Sequence, residues 1–146
     1  MTMMNESDKH RFLGEMLRSG EHYQAEVWGN VTADKKTQLM FSSMPVNSIL
    51  MESYCYIGMT EENINIVVVN TQKPDKILGR LRLPVDKISS VTVKGSLIPG
   101  KKTMDLLVDG RAIRLKLSSG TIGTDLQGQK EGVRMITERF KVLSGK

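Results

Sequence analysis

Met104-Asp105-Leu106-Leu107-Val108-Asp109-Gly110-Arg111-Ala112-Ile113-Arg114-Leu115 is the stretch that decides the fold. Asp109-Gly110 stands between two runs that alternate apolar and polar residues. Glycine accepts the positive φ that a two-residue type I′ hairpin turn demands. With those two residues in the loop, Val108 opposes Arg111, Leu106 opposes Ile113 and Met104 opposes Leu115. The last two pairs are apolar and share one face. On the other face Leu107 opposes Ala112, and Asp105 opposes Arg114 as an opposite-charge cross-strand pair. A slip of one residue would send the apolar set to solvent, so this register is strongly specified.

The same pattern repeats upstream. Ile88 to Lys94 predicts a strand, with residues 95–102 as the loop leading into the hairpin. Ile77 to Leu83 predicts another, ended by Pro84, with Ile77, Leu81 and Leu83 on one face and Arg80 and Arg82 on the other. Ile64 to Val69 is almost continuously apolar, which predicts a strand covered on both faces. Ile49 to Thr60 predicts a strand, and Glu61-Glu62-Asn63 and residues 70–75 predict turns. Glu21 to Val31 alternates, with Tyr23, Ala25, Val27 and Val31 on one face and Gln24, Glu26, Trp28 and Asn30 on the other. Residues 32–37 read as a polar turn. Residues 38–42 could extend a returning strand, which Pro45, Asn47 and Ser48 interrupt.

Two helices bracket the strands. Residues 8–19 carry the stripe Phe12, Leu13, Met16 and Leu17, with Ser7 as the expected cap and Gly20 as the stop. Residues 124–143 carry the stripe Leu126, Val133, Ile136, Phe140 and Leu143, and Thr124 and Gln127 have capping-box spacing. Gly128 and Gly132 weaken that helix by about 1 kcal/mol each relative to alanine. Their expected role is close approach of helix to sheet.

Composition narrows the function. The 146 residues fit a single domain, and seven aromatics leave its core to Leu, Ile, Val and Met. One cysteine, Cys55, excludes an internal disulfide and reads as a small buried hydrophobe. A catalytic thiol needs a neighbouring base, and the two histidines, His10 and His22, lie near the N-terminus. No apolar run approaches the roughly 20 residues needed to span a bilayer. The polar first ten residues lack the apolar region of a signal peptide. The expected location is therefore the cytoplasm, peripheral to the membrane if lipid is the partner. Charge is uneven. Residues 1–73 hold six Lys/Arg against nine Asp/Glu, whereas residues 74–146 hold fifteen against seven. Such asymmetry marks an anionic partner or a basic-biased solvated surface.

Several constellations in the chain resemble known sites in part. Gly95 to Lys101 nearly spells a phosphate-binding P-loop, but Lys102 stands where Ser or Thr is needed, Pro99 removes an amide donor, and a strand follows instead of a helix. Arg80, Arg82, Arg114 and Lys116 form a candidate basic sheet face, although outward strand positions are commonly charged. No aromatic is interleaved with them, which disfavours nucleic acid. Residues 118–124 lead into a helix N-terminus and read as a capped connection. No catalytic carboxylate pair, His/Cys metal cluster or Ser-His-Asp set can be assembled, and no cofactor is expected.

Leu83-Pro84-Val85-Asp86-Lys87-Ile88-Ser89-Ser90-Val91, then a glycine-bearing loop, then Met104 to Leu117 and a terminal helix, resembles bacterial pleckstrin-homology-like (PH-like) domains. The hairpin around Tyr56 to Ile66 and the strand Glu21 to Val31 fit the same pattern. The resemblance covers roughly residues 21–143. It implies a strongly bent, partly open antiparallel barrel of about seven strands capped by a C-terminal helix. Residues 1–20 would be an N-terminal helical extension and residues 21–146 the PH-like domain. The family mostly binds lipid head groups, peptides or its own copies. Lys35 and Lys36 match the basic loop after the first strand in lipid-binding relatives, but Gln38, Met40 and Ser42 depart from the basic pattern that continues there.

These readings converge on a non-catalytic binding or assembly module. The first expected partner is another protein or a second copy of the chain. The alternative is an acidic membrane surface engaged by Lys35, Lys36, Lys101 and Lys102. The second alternative is a small-ligand carrier.

Overall fold

The computed structural model describes residues 4–33, 53–70, 72–95, 100–108, 110–120 and 126–144. Helix α1 (Glu6–Gly14) is followed by β1 (Ala25–Ala33), β2 (Ser53–Met59), β3 (Asn63–Val69) and β4 (Ile77–Pro84). A three-residue 3₁₀ turn, Val85–Lys87, leads into β5 (Ile88–Gly95), β6 (Lys101–Val108), β7 (Arg111–Ser118) and helix α2 (Gln129–Ser144). The strands form one antiparallel sheet in the order β4-β3-β2-β1-β7-β6-β5.

That order forces the sheet to bend. Its two edges, β4 and β5, are consecutive in the chain and joined by only three residues. A flat sheet of seven strands would hold its edges roughly 29 Å apart, at about 4.8 Å per strand. The link from Pro84 to Ile88 reaches at most about 14 Å. The sheet must curl until its edges approach, and Val85 N–H donates to the Glu62 carbonyl at 2.8 Å to hold the link against the β2–β3 turn.

The hairpin register matches the sequence reading pair for pair: Val108 with Arg111, Leu107 with Ala112, Leu106 with Ile113, Asp105 with Arg114 and Met104 with Leu115. Gly110 has φ +77°, as the turn requires. Arg114 Nε donates to Asp105 Oδ1 at 2.7 Å.

The inner face of the sheet is covered throughout, and the outer face is covered over β2 and β3. The inner face packs Val27, Ile57, Ile66 and Leu83 of one half against Met104, Leu106, Ile113 and Leu115 of the other, with Val133, Ile136 and Phe140 of α2 closing the cluster. The outer face carries a second cluster, in which Met4, Phe12 and Leu13 meet Tyr56, Val67, Val69 and Leu126. Successive β3 residues therefore serve different clusters: Ile64, Ile66 and Val68 face inward, and Val67 and Val69 face outward. This is the physical source of the unbroken apolar run, and every β3 residue is buried.

Several expectations need correction. Helix α1 covers Glu6–Gly14 rather than 8–19. Its cap is Asn5, not Ser7, with Asn5 Oδ1 accepting from Asp8 N–H at 2.8 Å. Beyond Gly14 the chain continues in tight turns, Met16 N–H to the Leu13 carbonyl and Leu17 N–H to the Gly14 carbonyl, because glycine weakens helix propagation. Tyr23 precedes β1 and joins the outer cluster instead of the inner face. Ile77 also lies in the outer cluster, because the ladder shifts between Val68 and Val69 and reverses its facing relative to Leu81 and Leu83. The terminal helix starts at Gln129 rather than 124, and Leu126 packs outside, apart from the helical stripe. Gly128 lies before the helix with φ +68°, so its role is the left-handed turn into α2. The candidate strand at 38–42, Asp109 and the Thr124–Asp125 start of the cap fall outside the described residues.

Gly132 does sit at the expected close approach. A Cβ there would lie 2.5 Å from Val27 Cγ1 and 3.4 Å from the Glu26 carbonyl. Alanine in place of a helical glycine ordinarily gains up to about 1 kcal/mol. Gly132→Ala is instead expected to lower stability by about 1–3 kcal/mol through overpacking, read as a lower urea midpoint. In a Val27→Ala background, which empties the space, the same substitution should cost far less. Equal costs in both backgrounds would refute the close-approach account.

Candidate anion-binding cleft

The strand that opens the decisive hairpin also opens a cleft. Lys101 and Lys102 begin β6, where Lys102 pairs with Gly95 on one side and Leu117 on the other. A Cβ on Gly95 would stand 3.7 Å from Lys102 Nζ, so the ammonium lies beside the end of β5. Helix α2 passes this corner. Its Val133, Ile136 and Phe140 are buried inward, and the neighbouring face presents Lys130, Arg134, Thr137 and Lys141 at steps of four, three and four residues. Sheet and helix enclose a cleft of about 450 Å³, with Gly100, Lys102 and Ser119 on one wall and the polar face of α2 on the other.

Four cations and two carboxylates line this cleft, so it is net positive. Both carboxylates are engaged by one cation. Arg134 Nε donates to Glu131 Oε2 at 2.9 Å, its Nη1 donates to Glu138 Oε1 at 2.9 Å, and its Nη2 also contacts Glu131 Oε1. Hydrogen bonding to Glu131, then to Glu138, raises the Arg134 guanidinium above its ordinary range. The bond from Arg134 in turn lowers the Glu131 carboxyl. Lys102 and Lys130 form no ion pair with any described residue. Thr137 is 5% exposed, and its hydroxyl finds no hydrogen-bond partner among the described residues.

The other sequence candidates are dispersed. Lys101 is exposed at the start of β6, one residue from the cleft lining. Lys35 and Lys36 lie outside the described residues. Arg80 and Arg82 are on β4, and Arg114 and Lys116 are on β7, separated by β3, β2 and β1. Four strand spacings of about 4.8 Å put roughly 19 Å of sheet between them, so they do not form one patch. Arg80 lies 3.9 Å from Glu15 Oε1. Arg82 donates to Glu21 Oε1 at 3.1 Å and also contacts the Met16 carbonyl. These two arginines secure the segment after α1. Glu21 is held below the usual carboxyl range, first by the Arg18 amide and then by Arg82. Arg114 is paired with Asp105.

Sequence reading missed Lys130, Thr137 and Lys141. Their helical spacing was present in the chain, on the face beside the apolar stripe. It also missed Lys9, which is 2% exposed. Lys9 Nζ donates to the Gln127 carbonyl at 2.9 Å and the Glu26 carbonyl at 3.3 Å, and it pairs with Glu6 Oε1 at 2.9 Å. Glu6 Oε1 accepts from Gln127 N–H at 2.8 Å. This cluster moors the residues that enter α2.

A second cleft of about 650 Å³ lies at the C-terminal end of α2, between the β2–β3 turn and the Val85–Lys87 link. Glu61, Glu62 and Asp86 give it acidic character. Among the described residues, no group of three His, Cys, Asp or Glu side chains could hold a metal ion, and no helix is long and apolar enough to cross a membrane.

No family model and no curated protein matches this chain. Among solved structures, the chain is similar to the hSac2 domain from human phosphoinositide phosphatase Sac2. The TM-score is 0.54 and identity is 9%, over 93% of this chain and 78% of that one. At that identity the likeness speaks to fold alone, and it agrees with the PH-like architecture of a bent seven-stranded sheet with a C-terminal helix.

Cys55 is fully buried on β2, and burial pushes its thiol far above the ordinary range. A thiol so held presents no thiolate near neutral pH. Native protein is expected to leave a disulfide-exchange reagent such as Ellman's unreacted at pH 8 and to release one equivalent of chromophore in denaturant. Rapid reaction of the native protein would contradict this placement.

Proposed function

We propose that this chain is a non-catalytic PH-like binding module that docks on acidic membrane surfaces through the cleft between β6 and α2. The observation that carries the reading is the convergence of Lys102, Lys130, Arg134 and Lys141 on one cleft whose two carboxylates are both bonded to Arg134. Lys94 and Lys101 alternate with the inward residues Val93, Met104 and Lys102, so they lie on the outer face of the sheet and take no part in this cleft. Juxtamembrane cations contribute about 1 kcal/mol each at an acidic bilayer. A handful of lysines on one corner therefore suffices for reversible attachment, and salt weakens it as the screening length shortens.

The expected result is co-sedimentation with phosphatidylcholine vesicles that contain phosphatidylserine, falling as salt rises and absent with phosphatidylcholine alone. Lys102→Glu/Lys130→Glu should weaken this binding by at least roughly 30-fold, two lysines at about 1 kcal/mol each. Arg114→Gln, on the outer face of β7 and away from the cleft, should leave it unchanged. Absence of pelleting at low salt would end the membrane reading.

The second reading, head-to-tail self-association, draws on the acidic cleft of Glu61, Glu62 and Asp86, which is complementary in charge to the basic one. A mass that rises with protein concentration and falls with salt would support it. A constant monomer mass across that range would remove it.

A further inference from the structure

Thr137 is an uncharged cleft residue whose hydroxyl the charges around it do not explain. A threonine within a helix ordinarily relieves its hydroxyl by bonding back to the carbonyl one turn earlier or by turning to water. Thr137 does neither: it is 5% exposed, and its Oγ1 has no partner among the described residues. Leaving a buried hydroxyl unmade is unfavourable, and Thr137 lines the same cleft as Lys102 and Lys130. Those two ammoniums have no ion pair with a described residue, whereas Arg134 is occupied by Glu131 and Glu138.

We infer that the β6–α2 cleft is a binding site for a phosphate monoester dianion, with Lys102 and Lys130 supplying charge and Thr137 supplying a directed hydrogen bond. All three line one cleft, and a phosphate monoester offers three strong acceptor oxygens and nearly two negative charges to match them. The cleft has two more cations than carboxylates, which matches a dianion. A carboxylate or a phosphodiester carries a single negative charge, about half that of the monoester dianion. This inference rests on the membrane reading for its lipid form, in which the monoester is a headgroup. It stands without that reading if the ligand is soluble.

The test compares wild type, Thr137→Val and Thr137→Ser on phosphatidylcholine vesicles containing phosphatidic acid or phosphatidylserine, matched in surface potential. A parallel arm titrates inorganic phosphate while amide resonances of α2 are followed. Valine preserves the shape of threonine without its hydroxyl, and serine restores the hydroxyl. Thermal melts verify that both variants fold. Wild type should prefer phosphatidic acid by roughly tenfold, the value of one charge-assisted hydrogen bond. Valine should abolish the preference while keeping attachment to phosphatidylserine, and serine should restore it. Equal binding to both lipids by wild type, or an unchanged preference in Thr137→Val, would overturn the inference and leave the membrane reading intact. If no vesicle binds, the membrane reading fails and the phosphate arm decides. A saturable shift at Thr137 that is lost in the valine variant then supports a soluble monoester, and no shift overturns the site.

Discussion

The side chain of Gln129 stands in for a strand residue, and the placement of α2 depends on it. Its Oε1 accepts from Trp28 N–H at 3.1 Å, and its Nε2 donates to the Trp28 and Ser118 carbonyls at 3.0 and 2.6 Å. The β1–β7 ladder begins one step further on, at Gly29 and Leu117. The carboxamide thus completes pairing where the two strands part, in a position only 3% exposed. Buried backbone groups must be paired, so the first residue of the helix is pinned to the junction of the two halves of the sheet. Gly132, less than one turn later, lets the helix axis come down onto Val27. Val133, Ile136 and Phe140 then enter the core.

The cleft is a consequence of this seating. A helix has one periodicity, so fixing its buried stripe fixes every other stripe. Once Val133, Ile136 and Phe140 point inward, Lys130, Arg134, Thr137 and Lys141 are turned toward the start of β6. The bend of the sheet completes the arrangement. Because β4 and β5 are joined by three residues, the sheet curls, and α2 packs across β1 and β5 over its open side. The basic wall on β6 and the basic wall on α2 come from segments well separated in sequence, and only this closure brings them together.

That separation explains what the sequence disclosed. The β6–β7 hairpin was legible because turn chemistry, alternation and the Asp105–Arg114 pair are local and agree. The terminal helix was legible because its apolar stripe has the helical period. Its start was not, because a glutamine that bonds strand backbone looks in sequence like any polar helical residue. The facing of Ile77 was misread because a ladder irregularity at Val68/Val69 leaves no residue signature. The candidate site was half visible. Lys102 was singled out for its charge, whereas Lys130 and Thr137 acquire meaning only beside it. Arg80 and Arg82 looked like a binding face because Glu15, Glu21 and the Met16 carbonyl, which engage them, are more than 60 residues away. Local chemistry can be read from the chain, but the partners of a charge must be supplied by the fold.

The most direct test of this account is amide chemical-shift mapping of the intact chain on acidic bicelles containing phosphatidylserine. The account predicts salt-reversible shifts at Lys102, Ser119 and the Lys130–Lys141 face of α2, with β4 and the acidic cleft around Glu61 and Asp86 unperturbed. Shifts confined to β4, or centred on the acidic cleft, would contradict it.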